Sequence, residues 1–274
     1  MPEMRRPFLL CTALLSSVSL AHAQPELVSP GQQVLRACAN TYKSLREFKG
    51  SAAVVSQTSI ESKTGTSSAS PSSADASFDF VRGEHFNIEG HDSSHDPFSI
   101  ESTPQKTMTK WKPFGHDENG IYPSIGSAVA GFTGVAGLAP STVPALLLES
   151  DWKYPFALKA EATIKAQETF GGQLCFVVVQ KTQQRPGTRT LWIDAKTFLL
   201  RGMREESGAY AFKIPAMTDK ATKETTPEQE VKVLFSNRMH VFSIDKTLPS
   251  EDELAATAKL NPNLPRIEDQ PKEN

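Results

Sequence analysis

The sequence predicts an α+β fold: a strongly curved antiparallel sheet, a half-open barrel, enclosing a few helices. Three stretches carry that expectation. In residues 187–205 (GTRTLWIDAKTFLLRGMRE) apolar and polar positions alternate on both sides of Asp194-Ala195-Lys196-Thr197, and the aspartate can bond the backbone two residues on, so the stretch reads as a hairpin. Residues 173–181 (QLCFVVVQK), entered through Gly171-Gly172, are almost unbroken apolar and read as a neighbouring strand covered on both faces. Residues 121–148 carry no charge, and helices apolar on most sides, inserted between strands, belong inside a curved sheet.

The remaining elements follow in order. Residues 1–23 read as a signal peptide: Arg5 and Arg6 precede an apolar core, and Ala21-His22-Ala23 offers small residues at the cleavage site, so the mature chain starts at Gln24. Cys11 as an acylated cysteine is the poorer reading, because Leu10 before it is too bulky. Leu35, Cys38, Tyr42 and Leu45 recur at helical spacing and predict an amphipathic helix over 32–48, closed by Lys49-Gly50. Strands are expected at 51–60, 76–81, 85–89 and, broken near Pro104, at 99–111; the Ser- and Thr-rich stretch 61–73 reads as a mobile loop. Residues 121–148 divide into helices at 124–137 and 141–149, with Ser141 as N-cap. Strands at 158–170, 209–214, 231–234 and 240–244, with a polar loop at 218–228, complete a domain of about ten strands over 24–249. Residues 250–274 read as a disordered tail.

Composition narrows the function. At 38% hydrophobic and 22% charged, the 274 residues suit an ordinary globular protein. Without residues 1–23 the chain holds 27 basic against 30 acidic residues, a balance of −3 that argues against nucleic acid. Pro140, Pro144 and five Ser or Thr make 121–148 too polar for a membrane span, so no transmembrane segment is expected in the mature chain. Cys38 and Cys175 remain after export. Both are placed in the core, Cys175 on the strand face of Val177 and Val179, and either a disulfide or two buried free thiols would suit them.

At several of these residues the chain resembles the LolA-like group of secreted bacterial proteins, which includes a periplasmic lipoprotein carrier and the N-terminal domain of the regulator RseB. The resemblance rests on Glu168, Gly171 or Gly172, Cys175 and Phe176, followed by LWIDAKTFLLR at 191–201, and covers 31–249. FVRGEHF at 80–86 is similar to the family's F-x-R-P-x-x-F, with Gly83 in place of proline; 134–137 and 143–148 match its G-V-(A/S)-G and V-P-x-L-L-L; and Phe242 to Pro249 resembles its closing pattern. The resemblance implies a periplasmic or secreted protein that binds a lipid or lipoprotein acyl chain in the concave face, without cofactor or chemistry. A regulatory module of the RseB kind, binding an envelope protein partner, is the alternative it implies. It also places Arg82 where an arginine helps close the carrier's cavity; an exposed strand arginine is the plainer reading.

The residues themselves offer no catalytic motif: G-x-S-x-G, H-E-x-x-H and the P-loop are absent. His85, His91, Asp92, His95 and Asp96 form the one metal-like group, but His91 and His95 sit in a Gly-Asp-Ser-Ser stretch that reads as a solvated turn. What remains is a generous apolar interior. Phe80, Arg82, Phe132, Leu138, Leu146, Leu147, Leu148 and Trp192 are the expected ligand-binding set, and the same apolar side chains could simply fill the core. An open concave face favours the acyl carrier. A filled core with an exposed apolar rim favours the partner-binding module.

Overall fold

The computed structural model describes residues 28–62, 65–132, 139–148, 161–181, 187–207, 210–218, 225–226 and 228–248. The expected signal peptide, the tail and Leu138 lie outside them. Helix α1 (Pro30–Ser44) leads into β1 (Glu47–Ser62), β2 (Gly65–Ser68), β3 (Ser72–Val81), β4 (His85–His91), β5 (Pro97–Ser102), β6 (Thr107–Trp111) and β7 (Glu118–Tyr122). Helices α2 (Ile125–Phe132) and α3 (Ala139–Leu147) follow, then β8 (Ala162–Phe170), β9 (Gln173–Lys181), β10 (Gly187–Asp194), β11 (Leu200–Ser207) and β12 (Tyr210–Ile214). A small hairpin, β13 (Met217–Thr218) and β14 (Thr225–Thr226), precedes β15 (Gln229–Leu248).

The main sheet has 13 strands in the order β7-β6-β5-β4-β3-β1-β15-β11-β10-β9-β8, with β2 beside β1 and β12 beside β15. The pairs are antiparallel, and the sheet is open. Its curvature follows from what covers it. The eleven strands of the main path, at about 4.8 Å spacing, would span nearly 50 Å if flat. Helix α2 packs on β5 to β7, α3 on β1 and β3, and α1 on β8 and β9, while the helices touch one another in the order α2, α3, α1. Three helices side by side cover only about 30 Å, so the sheet must curl around them.

Most apolar side chains meet in one cluster between the helices and this inner face. Val34, Leu35, Cys38 and Tyr42 come from α1, Phe48 and Val54 from β1, Phe78 and Phe80 from β3, and Phe176, Val178, Leu191 and Ile193 from β9 and β10. Full burial of each large side chain stabilises by about 1.5–3 kcal/mol.

Several boundaries differ from expectation, each for a local reason. Helix α1 begins earlier because Ser29 and Gln32 form a capping box: the Ser29 hydroxyl accepts from the Gln32 amide and the Gln32 side chain accepts from the Ser29 amide, with Pro30 at the first turn. It also ends earlier. Lys49 and Gly50 lie inside β1, so the apolar spacing up to residue 48 joins two elements. The stretch 61–73 is largely strand, because β1 overhangs far enough for β2 to pair with it. Likewise 231–234 and 240–244 belong to the single long β15, which accommodates two irregularities, opposite Lys49–Gly50 and opposite Val55–Gln57. Ser141 lies inside α3 and is not its cap.

The hairpin is where the sequence placed it. Asp194 Oδ1 accepts from the Lys196 and Thr197 amides, both at 3.0 Å. A bulge opposite Trp192–Ile193 then resets β11, which puts both Leu200 and Met203 on the inner face.

Candidate functional site

Helix α3 carries the uncharged segment onto the inner face. Val143 and Leu147 are fully buried and Leu146 nearly so, against β1 and β3. The C-terminus of α3 and the C-terminus of α1 are both hooked by one side chain. Arg82, in the turn between β3 and β4, donates from Nε to the Leu45 carbonyl at 2.9 Å and from Nη2 to the Leu147 carbonyl at 3.1 Å and the Tyr42 carbonyl at 3.4 Å. The last carbonyls of a helix have no intrahelical partner and carry partial negative charge, so a guanidinium is the natural group to bridge two such ends. The guanidinium carbon also lies 5.3 Å from the centre of the Phe80 ring. Gly83 follows at φ 83°, a conformation closed to proline, so this turn cannot be built as the family's Arg-Pro turn is; Arg82 nevertheless reaches the helix ends.

The structure brings together Phe80, Arg82, Leu146 and Leu147, with Leu148 packed at the margin of the cluster. Phe132 lies in α2, its side chain outside the described residues. Trp192 goes elsewhere. In β10 it is Leu191 and Ile193 that face the helices; Trp192 lies on the outer face, stacked on Phe170 at 4.9 Å between ring centres and bonded through its indole N–H to Glu168. Cys175 and Val177 share that outer cluster, while their neighbours Phe176 and Val178 face in. The sheet therefore separates Cys175 from Cys38, both thiols are free, and no disulfide staples helix to sheet. Of the residues carrying the family resemblance, Cys175 and Trp192 lie on this outer face with Glu168 bonded to the indole, while Phe176, Leu191 and Ile193 face in. Asp194 there accepts from Arg201 at 3.0 Å, which makes the motif a structural brace.

The sequence left open whether the space beneath the helices is a cavity or is filled by side chains, and among the described residues the centre of the cluster is tightly packed. Leu35, Leu45, Ile88, Ile100 and Leu147 have no accessible surface at all, so no void the size of a water molecule adjoins them. Helix α3 lies directly against β1 and β3. Two polar features of this interior were not anticipated. The Tyr42 hydroxyl is buried in the apolar cluster, with the Leu200 backbone as its polar neighbour. Arg189 and Glu205 form a buried ion pair, Nε to Oε1 at 2.7 Å, where the apolar inner face ends. Tyr42 was legible as part of the helical stripe. The ion pair depends on register, which no sequence pattern exposes.

The thiols and the phenol all have raised pKa values. Burial pushes up Cys38; burial first and the nearby Cys38 second push up Tyr42; burial first and the Asp194 carboxylate second push Cys175 up to about 11. The histidine-rich stretch disperses. Asp92 is buried as a turn anchor, accepting from the Ser94 and Asp96 amides and the Trp111 indole; His91 pairs with Asp75 and His85 with Asp79 on the outer face. Among the described residues no three His, Cys, Asp or Glu gather to hold a metal, and no helix is long and apolar enough to cross a membrane.

No family model matches the chain, and no curated protein does. Among solved structures 28 chains are similar. The lipoprotein LppX of Mycobacterium tuberculosis is 11% identical at a TM-score of 0.38, over 80% of this chain and 96% of that one. A LolA superfamily protein of Nitrosomonas europaea is 9% identical at a TM-score of 0.28, over 82% and 96%. The complex of MucA and MucB from Pseudomonas aeruginosa gives 10% identity and a TM-score of 0.34, over 82% of this chain and 60% of the matched one. At such scores and identities the likeness carries no functional argument, which rests on the chain's own geometry.

Proposed function

We propose that this chain is an exported, non-enzymatic binding protein whose inner face takes up an acyl chain in place of α3. The observation that carries the reading is the Arg82 clamp: one side chain holds the ends of both α1 and α3, so its release loosens a helix whose largest buried apolar side chains are Val143, Leu146 and Leu147. The magnitudes permit the exchange. Val143, Leu146 and Leu147 together bury side chains worth about 5–9 kcal/mol, and an acyl chain of a dozen methylenes contributes about 10 kcal/mol at 0.8 per methylene, less the cost of immobilising it. A fluorescent fatty acid should therefore bind the wild type weakly, and the Arg82→Ala and Leu147→Asp variants, which both loosen α3, more tightly.

A second reading has its own support. The filled inner face and the exposed Phe114 and Ile121, the latter on the edge strand β7, suit a module that binds a protein partner of the RseB kind. If the probe binds neither wild type nor Arg82→Ala, α3 is a permanent part of the core and this second reading takes over.

A further inference from the structure

The main sheet has two edges, and they are finished differently. At β8 the edge is blunted three times over: the Ser29 hydroxyl donates to the Ala162 carbonyl at 2.7 Å, α1 packs on the strand, and a bulge between Ile164 and Ala166 leaves the exposed Lys165 as an unpaired extra residue. Such devices keep a further strand from adding to an edge. β7 carries none of them. It pairs with β6 in unbroken register from Glu118 to Tyr122, and among the described residues β6 is its one strand partner.

Three features of β7 and the turn before it suit an added strand. Ile121, opposite Met108 of β6 and on the same outer face as Asn119, is 75% exposed. Gly120, at the centre, has its side-chain place filled by the Tyr122 ring: a Cβ there would lie 2.6 Å from that ring and 2.8 Å from the Thr109 hydroxyl. The strand therefore stays narrow, and another backbone can come close. Just upstream, Phe114 is 85% exposed at φ 51°, a conformation that costs a bulky residue about 1 kcal/mol or more. The Asp96 carboxylate holds it there, accepting from its amide at 3.0 Å. A ring so placed gains apolar cover only against another molecule.

We infer that β7 pairs antiparallel with β7 of a second copy, joining two sheets across a two-fold axis. The occupant is a second copy because the strand is complementary to itself. For both inner faces to lie on one side, opposed residues must differ by an even number. Centring the axis on Gly120 then pairs all five residues: Asn119 meets Ile121 and Glu118 meets Tyr122 of the second copy, so no charge faces a like charge. Centring on Ile121 sets Asn119 against Pro123, which has no amide to donate, and centring on Asn119 sets Asp117 against Ile121. Five residues a side fall short of the ~800 Å² per partner of a stable complex, so the pair forms reversibly with concentration. The pairing stands apart from acyl uptake, and it gives the exposed rim of the second reading an occupant.

The test is sedimentation of the full exported chain, whose mass should rise from monomer toward dimer with concentration. Ile121→Lys changes a side chain too exposed to matter for folding, and the two-fold counts it twice, so it should weaken association by more than about tenfold. Lys165→Ser, on the other edge, should not change it. Copies carrying Asn119→Cys mixed with copies carrying Ile121→Cys should cross-link on mild oxidation, because these positions face each other. Either variant alone should not, its thiols standing about 7–8 Å apart. Cross-linking of Ile121→Cys to itself in preference, or a dimer that survives Ile121→Lys, would overturn the inference. A constant monomer mass with normal uptake of the fatty-acid probe would overturn it alone and leave both functional readings standing.

Discussion

Arg82 Nη2 and the Leu147 carbonyl, 3.1 Å apart, join the β3–β4 turn to the end of α3. The donor belongs to a turn tied by its own backbone to Arg46 and the acceptor to a helix of nine residues, so the bond ties the end of α3 to the sheet. Removing it with Arg82→Ala leaves the Leu45 and Leu147 carbonyls without this partner and should lower stability by about 2 kcal/mol in urea denaturation. Amide exchange at Leu148, whose N–H donates to the Pro144 carbonyl, should accelerate with little change in the sheet. Arg82→Lys, which keeps a charge but loses the fork, should fall between.

Asp194 is nearly fully buried, caps its turn through one oxygen and accepts from Arg201 through the other. Asp194→Ala leaves a partly buried guanidinium without this carboxylate and opens the turn, so it should cost about 3–5 kcal/mol. The double variant with Arg201→Met should recover part of that loss in the same denaturation experiment.

Gly202 is held by its neighbour's bulk. A Cβ there would lie 2.6 Å from the Phe170 ring, which itself stacks on Trp192. Gly202→Ala should therefore cost about 1–3 kcal/mol, and Phe170→Leu, mild alone, should relieve much of it. A double-mutant cycle that comes out additive would show that the ring moves aside freely.

Both thiols titrate above their ordinary value of 9.0 in the folded state, Cys175 near 11. Unfolded thiols ionise first, so their contribution to stability is complete below pH 9 and declines as pH rises through 11. The denaturation midpoint should fall over that window, and less steeply in Cys175→Ala. A thiol reagent near neutral pH should find no reactive cysteine in the native exported chain and two after denaturation.

The parts of the fold with strong local chemistry were legible: Asp194 in its turn, the unbroken apolar run of β9, the stripe of α1. What escaped depended on pairing. Trp192 and Cys175 were placed inside because alternation shows that two faces exist without saying which one the helices cover, and the outer face here is apolar enough to mislead. The polar β2 has no strand signature of its own and exists because β1 overhangs. Arg82 was identified through the resemblance alone, since nothing in its spacing shows that two helix ends lie within its reach. Whether the inner face is open or filled is a matter of side-chain volumes, to which periodicity is blind.

The pairing of β1 with β15 also dictates the order in which the molecule assembles. Phe48 lies opposite Thr247, about two hundred residues later, whereas β3 to β7 and β8 to β11 are each built from successive neighbours. Two half-sheets can therefore zip locally, but the seam that joins them closes a very long loop and must come last. The curved inner face, and with it any capacity to bind, is a property of the finished chain: until β15 has been made and has found β1, the two half-sheets have no common core to enclose.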